Sequence, residues 1–211
     1  MSGFFISLEG VEGVGKSTNL NFIADWLKQQ AVDFIVTREP GGTELAEAIR
    51  TLLLAPRSEP MAADTELLLV FAARAQHLAE KIRPAIARGQ TVVSDRFVDA
   101  TYAYQGFGRG LRLATIESLH QLVLNNFLPD LTIYLDLDVE TGLARARKRG
   151  ELDRFEQETA SFFERVRSGY LSRVQQDSAR FAVIDASLPL LHVQSQIAQV
   201  LSDFFNRRAV G

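Results

Sequence analysis

The 211-residue chain predicts an α/β fold: a five-stranded, mostly parallel sheet with helices on both faces. Three observations carry this. Apolar runs of strand length alternate along the chain with amphipathic helical patterns, and parallel strands need such crossover helices between them. A glycine-rich turn joins the first apolar run to the first helix. Charged residues follow directly on several of the apolar runs, at the sheet edge where ligands bind in open parallel sheets. With 46% apolar residues the chain is long enough for one substantial core, so a single domain over 1–211 is expected.

The first strand, Phe4 to Leu8, feeds Gly10-Val11-Glu12-Gly13-Val14-Gly15-Lys16-Ser17-Thr18. Gly, four residues, Gly, Lys, Ser is the spacing of a phosphate-binding loop. Its glycines let successive backbone N–H groups turn inward on phosphate oxygens, and Lys16 adds a point charge reaching the outer phosphates. Ser17 opens the next helix, where its hydroxyl suits Mg²⁺ and the positive helix end suits the anion. Phe22, Ile23, Trp26 and Leu27 mark that helix. The loop predicts a nucleoside triphosphate.

Asp33 to Thr37 is the second strand, and Arg38-Glu39 stands at its exit before the sharp turn Pro40-Gly41-Gly42. There the pair lies beside the phosphate loop, either facing a ligand or forming a solvated salt bridge. Thr43, with Glu47 nearby, starts a helix through Leu45, Ala48, Ile49 and Leu52. Residues 62–86 carry a long helical pattern that Pro84 kinks or ends. Phe71 and Arg74, three apart, share a helix face and together suit a planar base, although a core position is the plainer reading of Phe71 alone.

Thr91 to Ser94 is the third strand and delivers Asp95-Arg96, an acid for Mg²⁺ and an arginine for phosphate. Thr101 to Gly110, polar, aromatic and rich in glycine, reads as a loop forming a ligand wall. Ile116, Leu119, Leu122 and Val123 mark a helix stopped by Pro129, and Leu131 to Leu135 is the fourth strand, ending at Asp136. A helix from about Val139 runs into Arg145 to Arg154, where five of ten residues are basic around Gly150. That cluster is a solvated face, a nucleic-acid patch or a movable anion-binding lid. Residues 155–173 are helical, Phe181 to Asp185 is the fifth strand, and Val193, Ile197, Val200 and Leu201 line a last helix.

Composition narrows the function. There is no cysteine, and His77, His120 and His192 have no ligand spacing, so neither a disulfide nor a thiolate or histidine metal site is expected. No run approaches membrane-spanning length and no basic segment precedes an apolar stretch at the start, so a soluble, cytoplasmic chain without a membrane partner is expected. A net charge of -3 argues against nucleic acid as a partner. No guanine-reading Asn-Lys-x-Asp occurs. A phosphate loop, a second anion site at Arg96, the face at Phe71 and Arg74 and a basic lid are the parts of a small kinase with two nucleotide-sized pockets. A nucleotide-binding switch without catalysis, and a nucleic-acid module on the basic cluster, are the alternatives.

The blocks Glu9 to Thr18, Thr37-Arg38-Glu39-Pro40-Gly41-Gly42-Thr43, Asp95-Arg96-Phe97, Ala103-Tyr104-Gln105-Gly106 and Arg149 to Glu156 stand in an order that resembles the bacterial thymidylate kinase (dTMP kinase) family, in its subtype with lid arginines. The resemblance implies a P-loop kinase fold with a short lid at about 145–156, and transfer of the ATP γ-phosphate to dTMP, giving dTDP and ADP in dTTP biosynthesis. It implies Mg²⁺ with ATP as co-substrate, and a homodimer. Gly10 to Thr18 would bind ATP, with Ser17 and Asp95 at the metal. Glu12 would meet the sugar 3′-hydroxyl of dTMP, Glu39 would lie on the dTMP side, and Arg96 would hold the acceptor phosphate. Phe71 would stack on thymine, Arg74 would donate to its carbonyl, Thr101 and Gln105 would read the base edge, and Tyr104 would crowd the 2′ position. Lys16, Glu12 and Arg96 would be catalytic, and Arg149 and Arg154 would add transition-state charge.

Overall fold

The computed structural model describes residues 3–148 and 153–209. Strand β1 (Phe5–Glu9) is buried at every position, as a central strand covered on both faces must be. Around it lie β2 (Phe34–Arg38), β3 (Thr91–Asp95), β4 (Leu131–Asp136) and β5 (Phe181–Asp185), in the order β2-β3-β1-β4-β5 with every pairing parallel. Leu8 pairs with Asp95, so the loop after β1 and the Asp95-Arg96 exit of β3 open on one sheet edge. Alternation along β1 divides the core: Ile6 and Leu8 pack with Ile23, Leu27, Tyr170 and Ile197, while Phe5 packs with Leu67, Phe71, Phe97 and Ile116.

The helices follow the expected order. They are α1 (Lys16–Gln29), α2 (Glu44–Leu54), α3 (Ala63–His77), α4 (Arg83–Ala87), α5 (Val98–Thr101), α6 (Leu113–Leu124), α7 (Val139–Arg147), α8 (Ala160–Gln176) and α9 (Leu190–Ala209). Thr43 caps α2 by accepting from Ala46 N at 3.3 Å. Pro84 does not end its helical run: a π-helical turn over Leu78–Ile82 joins α3 to α4, with Arg83 N–H bonded five residues back to Leu78 O. Pro84 then falls in the first turn of α4, where a missing N–H costs least. Helix α8 starts later than Phe155 because Thr159 caps it, accepting from Phe162 N. No helix of the described residues is long and apolar enough to cross a membrane.

The largest departure from expectation is Thr101 to Gly110, which is helical for most of its length. After α5 the chain continues as a π-helical segment, Tyr102–Gly108, buried at nearly every position. Its glycines serve packing rather than turning: a Cβ on Gly108 would come within 2.7 Å of the Phe162 ring on α8, and one on Gly169 of α8 within 2.8 Å of Ala103 Cα. A buried ion cluster fixes α5. Asp99, fully buried, pairs with Arg180 at 2.7 Å and Arg173 at 2.8 Å, and Arg180 also donates to Thr132 of β4. Two guanidiniums outweigh the effect of burial and hold the Asp99 carboxyl below its usual range.

Candidate active site

The loop from Gly10 to Thr18 is seated on α7 by two facing glycines. A Cβ on Gly13 would lie 1.8 Å from Gly142 O, and one on Gly142 would lie 2.6 Å from Glu12 O, so neither position has room for a side chain. Lys16 Nζ donates to Gly10 O and Val11 O, both at 2.9 Å. Burial, aided by the charge of Arg96 and opposed by Asp95, Glu12 and Glu9, pushes its pKa down to about 8. Lys16, Ser17, Thr18, Asp95, Arg96 and Arg145 help line the cavity over this loop. Asp95 Oδ1 is buried there without a hydrogen-bond partner.

Arg96 adopts the left-handed backbone region, at φ 68°, which costs a non-glycine residue about 1 kcal/mol or more. Its N–H donates to Leu8 O at 3.0 Å and its carbonyl accepts from Ser94 Oγ at 2.7 Å, so the sheet edge holds the strained residue in place. The guanidinium then meets Glu12 Oε1 at 2.7 Å and Tyr104 Oη at 2.8 Å, while Tyr104 donates to Glu12 Oε2 at 2.6 Å. Burial pushes the Glu12 carboxyl up, but Arg96, Lys16 and the Tyr104 hydroxyl together hold it below its usual range. Burial first, and the Glu12 charge, keep the Tyr104 hydroxyl protonated far above neutrality.

A second cavity adjoins the first, and Glu12, Arg50, Arg96 and Asp153 line both. Val70, Arg74, Thr101, Tyr104, Gln105 and Phe155 form much of its remaining wall. Arg74 is fixed on three sides: Nε to Glu39 Oε2 at 2.7 Å, Nη1 to Thr101 Oγ1 at 2.8 Å and Nη2 to Phe97 O at 3.1 Å. The other oxygen of Glu39 pairs with His77 Nδ1 at 3.0 Å, and His77 Nε2 meets Thr37 Oγ1 at 2.7 Å. Glu39 therefore serves the buried cation as well as the cavity wall.

Two expected roles meet a different geometry. Phe71 does not line the cavity; it is 2% exposed, packs in the core and stands 5.2 Å from the Arg74 guanidinium, with Phe97 on another side at 5.4 Å. Helical geometry is the reason: Val70, four residues before Arg74, reaches the cavity, and Phe71, about 100° further round, turns to the core. Arg154 does not face the phosphate loop either. Its Nε donates to Leu53 O at 2.7 Å, its guanidinium stacks 4.4 Å from the Phe155 ring, and Nη2 lies 2.7 Å from Glu66 Oε2. A buried carboxylate binds a neighbouring guanidinium more strongly than open solvent does, so Arg154 is spent as an anchor. Arg149 lies outside the described residues.

Three residues escaped the sequence reading. Arg50 borders both cavities and donates to Pro40 O at 2.9 Å; burial, then the charges of Arg38 and Arg96, lower its pKa, as expected where cations gather for an anion. Glu9, fully buried, accepts from Phe97 N at 2.7 Å and Tyr170 Oη at 2.9 Å, and burial plus the Asp99 charge raise it to about 8. Glu66, 1% exposed, gathers Gln105, Arg109 and Arg154. A charged residue inside an apolar strand was the one local signal for Glu9; Arg50 and Glu66 sit in ordinary helical patterns.

Comparison with known proteins agrees with this geometry. A family model described as thymidylate kinase matches residues 8–197. The chain is similar to a protein of Teredinibacter turnerae named thymidylate kinase, 59% identical over 204 residues, covering 97% of this chain and 100% of that one. It is 58% identical over 208 residues to one of the same name from Pseudomonas savastanoi pv. phaseolicola, covering 99% of each. Among solved structures, it resembles thymidylate kinase from Ehrlichia chaffeensis with a TM-score of 0.76 at 30% identity, over 95% of this chain and 99% of that one.

Proposed function

The chain belongs to the thymidylate kinase family and transfers the γ-phosphate of ATP to dTMP, giving dTDP and ADP, and on that premise we propose how its two cavities divide the reaction. The observation that carries the proposal is the shared wall: Glu12, Arg50 and Arg96 border both the phosphate loop and the base-sized cavity. A phosphoryl group passing between two nucleotides crosses at these residues.

ATP lies with its phosphates on Gly10 to Thr18, where the α1 N-terminus and Lys16 face the anion. Lys16 leaves the loop carbonyls for the triphosphate, which also restores its full charge. The acceptor base lies against Val70 and between Arg74, Thr101 and Gln105. Arg96 and Arg50 hold the acceptor phosphate in line, and Glu12, exchanged out of its pair with Arg96, accepts from the sugar 3′-hydroxyl. Tyr104, fixed by Glu12 and Arg96, occupies the space a 2′-hydroxyl would need. Phosphoryl transfer asks for alignment and charge neutralisation rather than a protein nucleophile, and these groups supply both.

The donor set at the loop fits Mg²⁺. Ser17 and Asp95 are hard oxygen ligands on one cavity, and Asp95 Oδ1 is buried without a partner. Held by Ser17 and Asp95, Mg²⁺ would supply positive charge against the triphosphate. Arg145, in the wall of the phosphate cavity, and Arg149 are the basic residues of the lid proposed to add charge there, with Arg154 anchoring its return limb. The enzyme acts as one domain in the cytoplasm, as a homodimer joined through the exposed Leu52, Leu68 and Leu122 of α2, α3 and α6.

A coupled ADP-release assay over dTMP, dUMP, dCMP and dAMP tests the reading. The expected order puts dTMP first, dUMP behind it and the other two near background, with Arg96→Ala lowering turnover by about 10³. A faster reaction with another acceptor, or an Arg96→Ala protein near wild type, rejects it.

A further inference from the structure

Glu66 has no place in the reaction as described, yet it is a buried carboxylate at the start of α3 with three polar residues turned onto it. Gln105 Nε2 donates to Glu66 Oε1 at 2.9 Å, Arg109 Nε lies 3.2 Å from Oε1 and 3.3 Å from Oε2, and Arg154 Nη2 lies 2.7 Å from Oε2. Arg109 in turn pairs with Glu158 beyond the lid and stands 4.8 Å from the Phe162 ring. One carboxylate thus ties the start of α3, the π-helical segment and the return limb of the lid.

The consequence lies in the Gln105 amide. An amide presents a donor at one end and an acceptor at the other, and only the chemistry of its neighbours decides which end points where. A carboxylate held between two guanidiniums accepts and does not donate, so the amide nitrogen must face Glu66. The carbonyl oxygen is left at the cavity, where no protein donor meets it among the described residues. Beside it stand the N–H groups of Arg74 and the Thr101 hydroxyl, whose oxygen already accepts from Arg74. The wall therefore reads, side by side, a base carbonyl and a ring N–H.

We propose that Glu66 is a positioning residue that sets acceptor specificity, by holding the Gln105 oxygen toward the base so that the cavity takes a pyrimidine-2,4-dione and rejects a 4-aminopyrimidine. Thymine and uracil both present a C4 carbonyl beside an N3–H. Cytosine reverses both, setting an amino group against Arg74 and a ring lone pair against the Gln105 oxygen. Mispaired buried polar groups of this kind discriminate far more strongly than a missing methyl group. The proposal rests on dTMP being the acceptor in this cavity, and it leaves the discrimination between thymine and uracil to other contacts.

The test is the ratio of kcat/KM for dTMP to that for dCMP. Glu66→Gln keeps the shape but offers Gln105 either a donor or an acceptor, so its amide is released to turn. The ratio is expected to fall by about tenfold or more, through a higher KM for dTMP and faster turnover of dCMP, with KM for ATP unchanged. Adding Gln105→Glu to that variant restores a fixed acceptor at the cavity, now held by the donating amide at position 66, and the ratio is expected to recover toward wild type. A role confined to stability would lower Tm without moving the ratio or allowing rescue. In wild-type protein the Gln105 side-chain NH₂ protons are expected to exchange slowly with or without dTMP, a measurement independent of whether the variants fold. An unchanged ratio in Glu66→Gln, a double variant no better than the single one, or a Gln105 NH₂ that becomes protected only with dTMP would overturn the proposal. Wild-type protein inactive on both dTMP and dUMP would instead reject the acceptor assignment on which it stands.

Discussion

In the phosphate loop, the groups proposed to meet a ligand are backbone amides, one lysine and one serine drawn from nine consecutive residues. The second cavity draws its wall from the turn after β2, α2, α3, α5, the π-helical segment and residues 153 and 155, and its polar groups are already paired: Arg74 with Glu39, Gln105 with Glu66, Arg96 with Glu12. The loop holds its lysine on its own carbonyls, an arrangement that a stronger anion displaces. The cavity holds Arg74 and Gln105 in buried side-chain networks built from other elements of the fold. A triphosphate is recognised by charge and backbone geometry, which tolerate local rearrangement, whereas a base is recognised by which donor faces which acceptor, which does not. Among the described residues the two cavities share Glu12, Arg50, Arg96 and Asp153, all of them charged side chains.

The contrast breaks most visibly at Lys16. Lys16→Ala is expected to lower kcat by about 10³ or more by removing charge from the transferring phosphoryl group, while calorimetric binding of dTMP alone stays within about twofold. A parallel loss of dTMP affinity would show that the cavities are not separable. Glu39→Gln attacks the other side. Removing one partner of the buried pair with Arg74 is expected to cost about 3 kcal/mol in urea unfolding, and to raise KM for dTMP by about tenfold while KM for ATP holds. Equal effects on both substrates would place Glu39 at the phosphates instead.

The smallest effect is a proton. With Lys16 at about 8 in the empty loop, close to half the molecules carry a neutral amine at pH 8, and bound triphosphate raises that pKa. Binding an ATP analogue at pH 8 should therefore take up roughly half a proton more than the Lys16→Ala protein does, and the excess should vanish toward pH 6.5, where the amine is already charged. Calorimetry in buffers of differing ionisation enthalpy measures it. No excess uptake would mean that the empty loop leaves Lys16 fully charged.

Legibility in the sequence follows the same division. The loop, the strand order along the chain and the exits at Glu39 and Arg96 depend on neighbours within a few residues, so spacing and hydrophobic period expose them. Thr101 to Gly110 misled because glycine density signals turns when read locally, while here Gly108 lies against Phe162 of α8, more than fifty residues away, Gly106 lies against Leu113 and Ile116 of α6, and Gly110 alone of the three has a positive φ. Phe71 misled for a related reason: an aromatic and an arginine three apart do share a face, but the face turned to the ligand is set by how α3 packs, and that face carries Val70.

What the sequence determined by itself is the alternation that makes a parallel sheet, and a nine-residue loop whose chemistry lies in its own backbone. What the tertiary structure decided is the partner of each charge: Arg154 paired with Glu66, Glu39 shared between Arg74 and His77, and Glu66 turned onto Gln105. A buried charge must find its counter-charge wherever the chain brings one, and distance along the sequence carries no record of that choice.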